Sequence, residues 1–205
     1  MTPVEKIFIH FKNCDPVLYA YLVRIPKLEK IKKDQPDNYF GRLCREIVCQ
    51  QLSDKAGDVI CSRFQKLFGQ KIILPADVLA LPHEKLRAAG MSNSKVRYLK
   101  NLAGEIVNGN LPITRLDKMT DQEITSTLTK VKGIGPWTAE MFLMFTLGRE
   151  DVFSFGDLGL NKAMQKIYGI KSDLSKKRAE KIISKWSPYK SYASRILWAS
   201  LELLD

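Results

Sequence analysis

The residues with the clearest chemical potential lie in the segment 131–140, which reads VKGIGPWTAE. Gly133 and Gly135 permit a positive φ and a close approach by another molecule, and Pro136 suits the first turn of a helix. The N-terminus of such a helix favours an anion such as a phosphate. With an apolar-patterned helix on each side, residues 121–147 are expected to form a helix-hairpin-helix. The element predicts DNA phosphate contacts, without base reading, from Lys132, Gly133, Ile134 and Gly135.

A second segment with chemical potential is 151–164, which reads DVFSFGDLGLNKAM. Its apolar residues 152–155 would bury the segment, Gly156 permits a tight turn, and Asp157 would then stand at the head of a helix. Two interpretations of Asp157 are open at this point. As an N-cap it would stabilise the protein by about 1 kcal/mol. The same placement would also hold an ionised carboxylate at the edge of a cleft, where it could act in catalysis.

The overall charge indicates a polyanionic partner. The 205 residues contain 33 Lys and Arg against 22 Asp and Glu, a formal net charge of +11, which favours nucleic acid as the partner. A membrane is disfavoured because no apolar run approaches the roughly 20 residues that span a bilayer. Glu5 and Lys6 precede only a short apolar patch, unlike a secretory signal peptide. We therefore expect an intracellular protein without a signal peptide.

Cysteine and histidine chemistry is poorly supported by the spacing of these residues. The four cysteines are Cys14, Cys44, Cys49 and Cys61. None forms a C-x-x-C pair, so zinc and iron–sulfur sites are not expected, and the thiols are interpreted as small buried apolar groups. His10 and His83 lie far apart in the sequence. A mechanism that depends on histidine is therefore disfavoured.

The elements that must position these residues are helical. Apolar residues recur at intervals of three and four over 43–68, with a break near 50–53, which predicts two helices. Another helix is expected after Ser92, and Lys95 at its start is a candidate for a second phosphate contact. The segment 71–74, KIIL, is too short and isolated to support a sheet. The sequence therefore predicts an all-α fold.

Taken together, these segments resemble the helix-hairpin-helix DNA glycosylase superfamily. The resemblance rests first on VKGIGPWTA followed by DVFSFGDLGL, and it is closest to the alkylated-base branch, the 3-methyladenine DNA glycosylase II type. The matches cover residues 40–200 in the correct order. Three further stretches support that branch: 47–53 (IVCQQLS), 86–92 (LRAAGMS) with Lys95, and 186–193 (WSPYKSYA) leading to Trp198.

The resemblance implies a fold and an activity. The fold is two helical lobes with the active cleft between them, formed by residues 1–205 as a single unit without the extra N-terminal β domain of some relatives. The activity is that of a monofunctional glycosylase of base excision repair, which flips out an alkylated purine such as 3-methyladenine and hydrolyses its N-glycosidic bond. Asp157 is then the catalytic carboxylate. Bifunctional members carry a lysine where Trp137 stands, so lyase cleavage of the strand is not expected.

The resemblance also implies residues that contact the damaged base. Trp137 and Trp198 match the pocket positions of the family, where aromatic faces attract a cationic base by about 0.5–2 kcal/mol. Met141 and Leu158 lie near the predicted pocket. Without the resemblance, either tryptophan is more readily interpreted as a core residue.

The turn at 50–53 matches the family's wedge, the residue that fills the gap left by the flipped nucleotide. Gln51 is the first candidate and Leu52 the second, with Ser53 completing the turn. The alternative is that Gln51 simply faces solvent and Leu52 faces the core.

The resemblance further implies double-stranded DNA with a damaged base as the partner of a monomeric enzyme. No cofactor is required, but Na⁺ or K⁺ at the hairpin would be held by the backbone carbonyls of Thr129, Val131 and Ile134. Two other functions stay open. One is a DNA-binding or damage-sensing protein without catalysis, and the other is a monofunctional glycosylase for deaminated or mismatched bases.

Overall fold

The computed structural model describes residues 1–69, 71–169 and 176–204, and every regular element in these ranges is helical. The predicted all-α class is confirmed, and residues 71–74 form an irregular connection. None of the helices in the described ranges has the length and apolarity that crossing a membrane requires. The chain divides into two compact units, one of Met1–Lys33 with Gly148–Asp205 and the other of Asp34–Leu147.

Both units are built from α-helices. In the described ranges they are α1 (Pro3–Cys14), α2 (Pro16–Leu22), α3 (Tyr39–Cys49), α4 (Asp54–Lys66), α5 (Pro75–Ala80), α6 (His83–Ala88), α7 (Asn93–Val107), α8 (Asp121–Leu128), α9 (Pro136–Phe145), α10 (Leu158–Tyr168), α11 (Lys176–Ile183) and α12 (Lys190–Leu204). Short 3₁₀ turns occur at Pro36–Asn38, Ile113–Lys118 and Ser184–Trp186.

The unit that contains α10 and α12 is organised around the buried carboxylate of Asp15. Asp15 caps α2 by accepting a hydrogen bond from the Leu18 amide at Oδ1 (3.0 Å). Its Oδ2 accepts from the Tyr168 hydroxyl (2.7 Å) and from Trp186 Nε1 (2.8 Å). Burial, together with the nearby Asp15, raises the pKa of Tyr168. These bonds join α2, α10 and the last 3₁₀ turn within one apolar core.

The unit 34–147 is built around α3, which packs against α4, α7 and α9. One face of α3 is buried, and its Tyr39 ring meets Phe142 of α9 edge-to-face at 5.7 Å between centroids. Helix α3 ends at Cys49 and α4 begins at Asp54, so the predicted break at 50–53 is confirmed. The predicted helix after Ser92 is also present as α7, with the Ser92 hydroxyl accepting from the Lys95 amide (3.2 Å).

Candidate active site

The predicted hairpin is present as α8, a turn, and α9. Gly133 has a φ of +105°, which favours glycine, and a Cβ there would lie only 2.3 Å from Tyr98 Cγ. Gly135 differs from the prediction, because its φ of −97° is open to any residue. A Cβ on Gly135 would meet no atom within 4 Å. Gly133 is therefore required by the fold of the hairpin, whereas the open backbone at Gly135 leaves room for an external ligand.

The inner side of the turn is anchored by Ile134. Its side chain is 4% exposed, and its amide already donates to the Val131 carbonyl (3.0 Å). The Ile134 amide therefore closes the turn, in contrast to the predicted phosphate contact from this residue. Phosphate contacts from Lys132, Gly133 and Gly135 stay a prediction.

Gln50, the residue that directly follows α3, is hydrogen-bonded to the hairpin. Its side-chain Nε2 donates to the Gly133 carbonyl (3.0 Å) and to Thr138 Oγ1 (2.9 Å). From α7, Asn101 Nδ2 donates to the Lys132 carbonyl (3.3 Å). Gln50 was not among the site residues predicted from the sequence. Its position directly after α3, as the first residue of the turn at 50–53, was the signal that could have indicated it. Gln50 thus ties that turn to the hairpin.

Lys95 is also engaged at the end of α3. Its Nζ donates to the carbonyls of Val48 (2.7 Å) and Gln50 (2.8 Å), two groups at a helix C-terminus that need donors. Burial lowers the pKa of Lys95. This side chain therefore shapes the turn at 50–53, and its contact with a phosphate stays a prediction.

Within the turn at 50–53, the three residues after Gln50 are exposed. Gln51 has a φ of +58°, a left-handed conformation that costs a non-glycine residue roughly 1–2 kcal/mol. Leu52 is 37% exposed, so it does not lie in the core, and Ser53 is exposed. A strained, exposed turn with an apolar side chain is compatible with a wedge role for Gln51 or Leu52.

Asp157 stands at the N-terminus of α10, as the sequence predicts, and is 9% exposed. Its Oδ1 accepts from the Leu160 amide (2.8 Å) and from Trp198 Nε1 (3.1 Å). Gly159 permits this close arrangement, because a Cβ there would lie 3.2 Å from Asp157 Oδ1 and 3.2 Å from Trp198 Cδ1. Asp157 therefore caps α10 and also presents a carboxylate that is held in a fixed position.

The residues predicted to contact the base fall into both compact units. Trp137 and Met141 belong to 34–147, where Trp137 is half-buried and Met141 is 4% exposed. Asp157, Leu158 and Trp198 belong to the other unit, where Leu158 is 84% exposed and the half-buried Trp198 contacts Asp157. A pocket role for these four apolar residues stays a prediction.

A metal site of side-chain ligands is not found in the described ranges, where no three His, Cys, Asp or Glu residues are grouped to hold an ion. The predicted monovalent cation would instead use backbone carbonyls of the hairpin turn. Of these, the Val131 carbonyl accepts the Ile134 amide and has a second lone pair for an ion. The cation stays a prediction.

Comparison with known proteins identifies relatives of the chain. Residues 44–188 match the family described as HhH-GPD superfamily base excision DNA repair protein. A putative DNA-3-methyladenine glycosylase of Bacillus subtilis is 33% identical over 76% of this chain, and the match spans 56% of that protein. The DNA-3-methyladenine glycosylase of Saccharomyces cerevisiae is 31% identical, with 92% of this chain and 77% of that protein aligned.

A solved structure has the same fold. It is the Schizosaccharomyces pombe 3-methyladenine DNA glycosylase in complex with abasic DNA, with a TM-score of 0.87 and 26% identity. The superposition covers 96% of this chain and 97% of that one.

Proposed function

Because the chain belongs to the HhH-GPD superfamily of base excision DNA repair proteins, we propose that it is a monofunctional DNA glycosylase for alkylated purines such as 3-methyladenine. The observation that carries the proposal is the Asp157 carboxylate, nearly buried and held at Oδ1 by two N–H donors. The glycosylase names of its relatives point in the same direction. The substrate is double-stranded DNA with a damaged base, and residues 1–205 act as one monomeric module.

The reaction is hydrolysis of the N-glycosidic bond after the nucleotide is flipped out of the duplex, at a cost of a few kcal/mol. As the bond breaks, its electron pair leaves with the base and positive charge develops on the sugar. A fixed carboxylate at Asp157 stabilises that charge far better than water does. Asp157 also orients the attacking water and accepts its proton, which leaves an abasic site.

No further catalytic group is needed for an alkylated base. Such a base is cationic and leaves without protonation by a general acid, in keeping with motifs that contain no histidine. The chain has Trp137 where bifunctional members have a lysine, so no amine forms a Schiff base there and the strand is not cleaved. Trp137 and Trp198 offer aromatic faces to the cationic base.

DNA is bound through the hairpin and the turn at 50–53. The amides of Gly133 and Gly135 and the Lys132 side chain contact a phosphate, and Gln51 fills the gap in the duplex. A monovalent cation on the carbonyls of the hairpin turn adds to the phosphate contact, and no other cofactor is needed.

The proposal is tested by incubating the protein with methylated, deaminated and mismatched duplexes and identifying each free base by mass spectrometry. The expected result is release of 3-methyladenine from methylated DNA, with an abasic site and an intact strand. Release of a deaminated or mismatched base alone would instead assign that substrate class. Salt-sensitive duplex binding without release of any base would indicate a DNA-binding protein without catalysis.

Trp198→Phe is expected to slow base release roughly ten-fold under single-turnover conditions, because it removes the hydrogen bond from Trp198 Nε1 that holds Asp157 and keeps an aromatic ring. The matched control is Trp186→Phe, which removes the hydrogen bond from Trp186 Nε1 to the Asp15 carboxylate in the same unit. The control should lower the melting temperature and leave the rate of base release unchanged. Equal rates for Trp198→Phe and wild type would contradict a positioning role for Trp198.

A further inference from the structure

Two of the four cysteines lie side by side in the unit 34–147. Cys49 Sγ is 3.4 Å from Cys61 Sγ, with Cys49 at the end of α3 and Cys61 on α4. Gly57 makes room for this pair, because a Cβ there would lie 2.9 Å from Cys49 Sγ. Cys61 is buried and Cys49 is half-buried. The interpretation of all four thiols as inert buried groups is therefore incomplete, since two thiols within contact distance can react with each other.

The two thiols differ in acidity. The hydrogen bond from Cys61 lowers the pKa of Cys49 to about 7, and the positive charge of Arg45 acts in the same direction against burial and the nearby Glu46 and Asp58. The same hydrogen bond raises the pKa of Cys61. Of the two thiols, Cys49 is the more readily ionised and is assigned as the attacking nucleophile, and Cys61, 3.4 Å away, is the thiol that can resolve a mixed disulfide.

The other two cysteines lack these properties. Burial raises the pKa of Cys44, which is fully buried on α3. Burial and the adjacent Asp15 raise the pKa of Cys14. Oxidation is therefore expected first at Cys49.

The pair adjoins the turn at 50–53. Cys49 directly precedes Gln50, whose side chain donates to the Gly133 carbonyl and to Thr138 Oγ1. The Gln50 carbonyl also accepts from Lys95 Nζ. A movement of Cys49 is therefore transmitted to both elements assigned to DNA binding.

We propose that Cys49 and Cys61 form a redox site, which low-molecular-weight disulfides convert to an intramolecular disulfide that weakens DNA binding. Formation of the Cys49–Cys61 disulfide does not depend on the proposed function. The effect of that disulfide on DNA binding rests on the proposed function. Closing the bond draws the sulfurs from 3.4 Å to about 2.05 Å. We expect this closure to displace the end of α3 relative to α4, and Gln50 with it.

The reaction is two successive thiol–disulfide exchanges. The Cys49 thiolate attacks one sulfur of glutathione disulfide, forms a mixed disulfide and releases a glutathione thiolate, which takes up a proton. Cys61 then gives its proton to water, attacks the Cys49 sulfur and expels the second glutathione thiolate. Two protein thiols are oxidised and one glutathione disulfide is reduced to two thiols.

The experiment incubates the full chain in graded ratios of oxidised to reduced glutathione, traps free thiols by alkylation and maps linked peptides by mass spectrometry. Duplex affinity is measured by fluorescence anisotropy in the same samples and again after dithiothreitol. The expected result is a peptide linking Cys49 to Cys61 and a dissociation constant raised about five-fold or more, fully reversed by reduction.

Two variants complete the test. Cys49→Ser should bind DNA equally under both conditions, whereas Cys14→Ser should respond as wild type does. A glutathione adduct that persists on Cys49, no link at all, or a link with unchanged affinity would each overturn the proposal. The wild-type measurement decides it even where a variant folds poorly. If the proposed function is wrong, the reduced protein will release no base from methylated duplex. That result is obtained separately from the disulfide measurement.

Discussion

Asp157→Asn is expected to abolish release of 3-methyladenine, with a single-turnover rate lower by roughly 10²–10³-fold or more, while DNA affinity stays intact or rises. The asparagine side chain has the same shape, and its carbonyl oxygen can still accept from the Leu160 amide and Trp198 Nε1. What the variant lacks is the negative charge that stabilises the sugar cation. The measurement is base release from methylated duplex, with anisotropy for affinity and thermal unfolding for stability.

The chain offers a matched control in Asp15→Asn. Asp15 is also buried, also caps a helix, and also accepts from a backbone amide and an indole N–H. The same chemical change there should lower stability and leave the rate of base release unchanged. Undiminished turnover by Asp157→Asn would remove Asp157 from the mechanism. An equal loss of rate in both variants would show that the effect is structural.

Gly135→Val is expected to raise the dissociation constant for undamaged duplex about ten-fold or more, at all sequences alike. The φ of −97° accepts a side chain, and no atom lies within 4 Å of the position that a Cβ would take. The free energy of unfolding should therefore change by about 1 kcal/mol or less. The valine would lie where a phosphate approaches the helix N-terminus. Anisotropy at several salt concentrations measures the affinity and its salt slope, which should fall as a phosphate contact is lost.

Gly133→Ala separates this effect from a loss of folding. Its φ of +105° and the Tyr98 ring 2.3 Å from an added Cβ predict a destabilised hairpin, with an unfolding free energy lower by about 1–3 kcal/mol. Its loss of DNA binding should follow its loss of stability, whereas that of Gly135→Val should not. Wild-type affinity in Gly135→Val would contradict the phosphate contact at the hairpin.

Much of the fold was predictable because its signals are local. Apolar spacing of three and four residues placed α3, α4 and α7, and the break at 50–53 followed from the same spacing. The hairpin followed from two glycines and Pro136, and the cap at Asp157 from a turn residue before an apolar-patterned helix. Each of these depends on residues within a few positions of one another, so a single sequence is sufficient to predict it.

The helical class, the hairpin and the position of Asp157 at the head of α10 thus follow from local sequence. The partners of the key side chains depend instead on how the helices pack. Gln50 meets Gly133 across 83 positions, Lys95 meets Gln50 across 45, and Trp198 meets Asp157 across 41. Such pairs form when helix packing brings distant segments together, and neither residue type nor local spacing encodes which pairs will meet. The same reason explains why Cys49 and Cys61, which look inert in the sequence, prove to be neighbours.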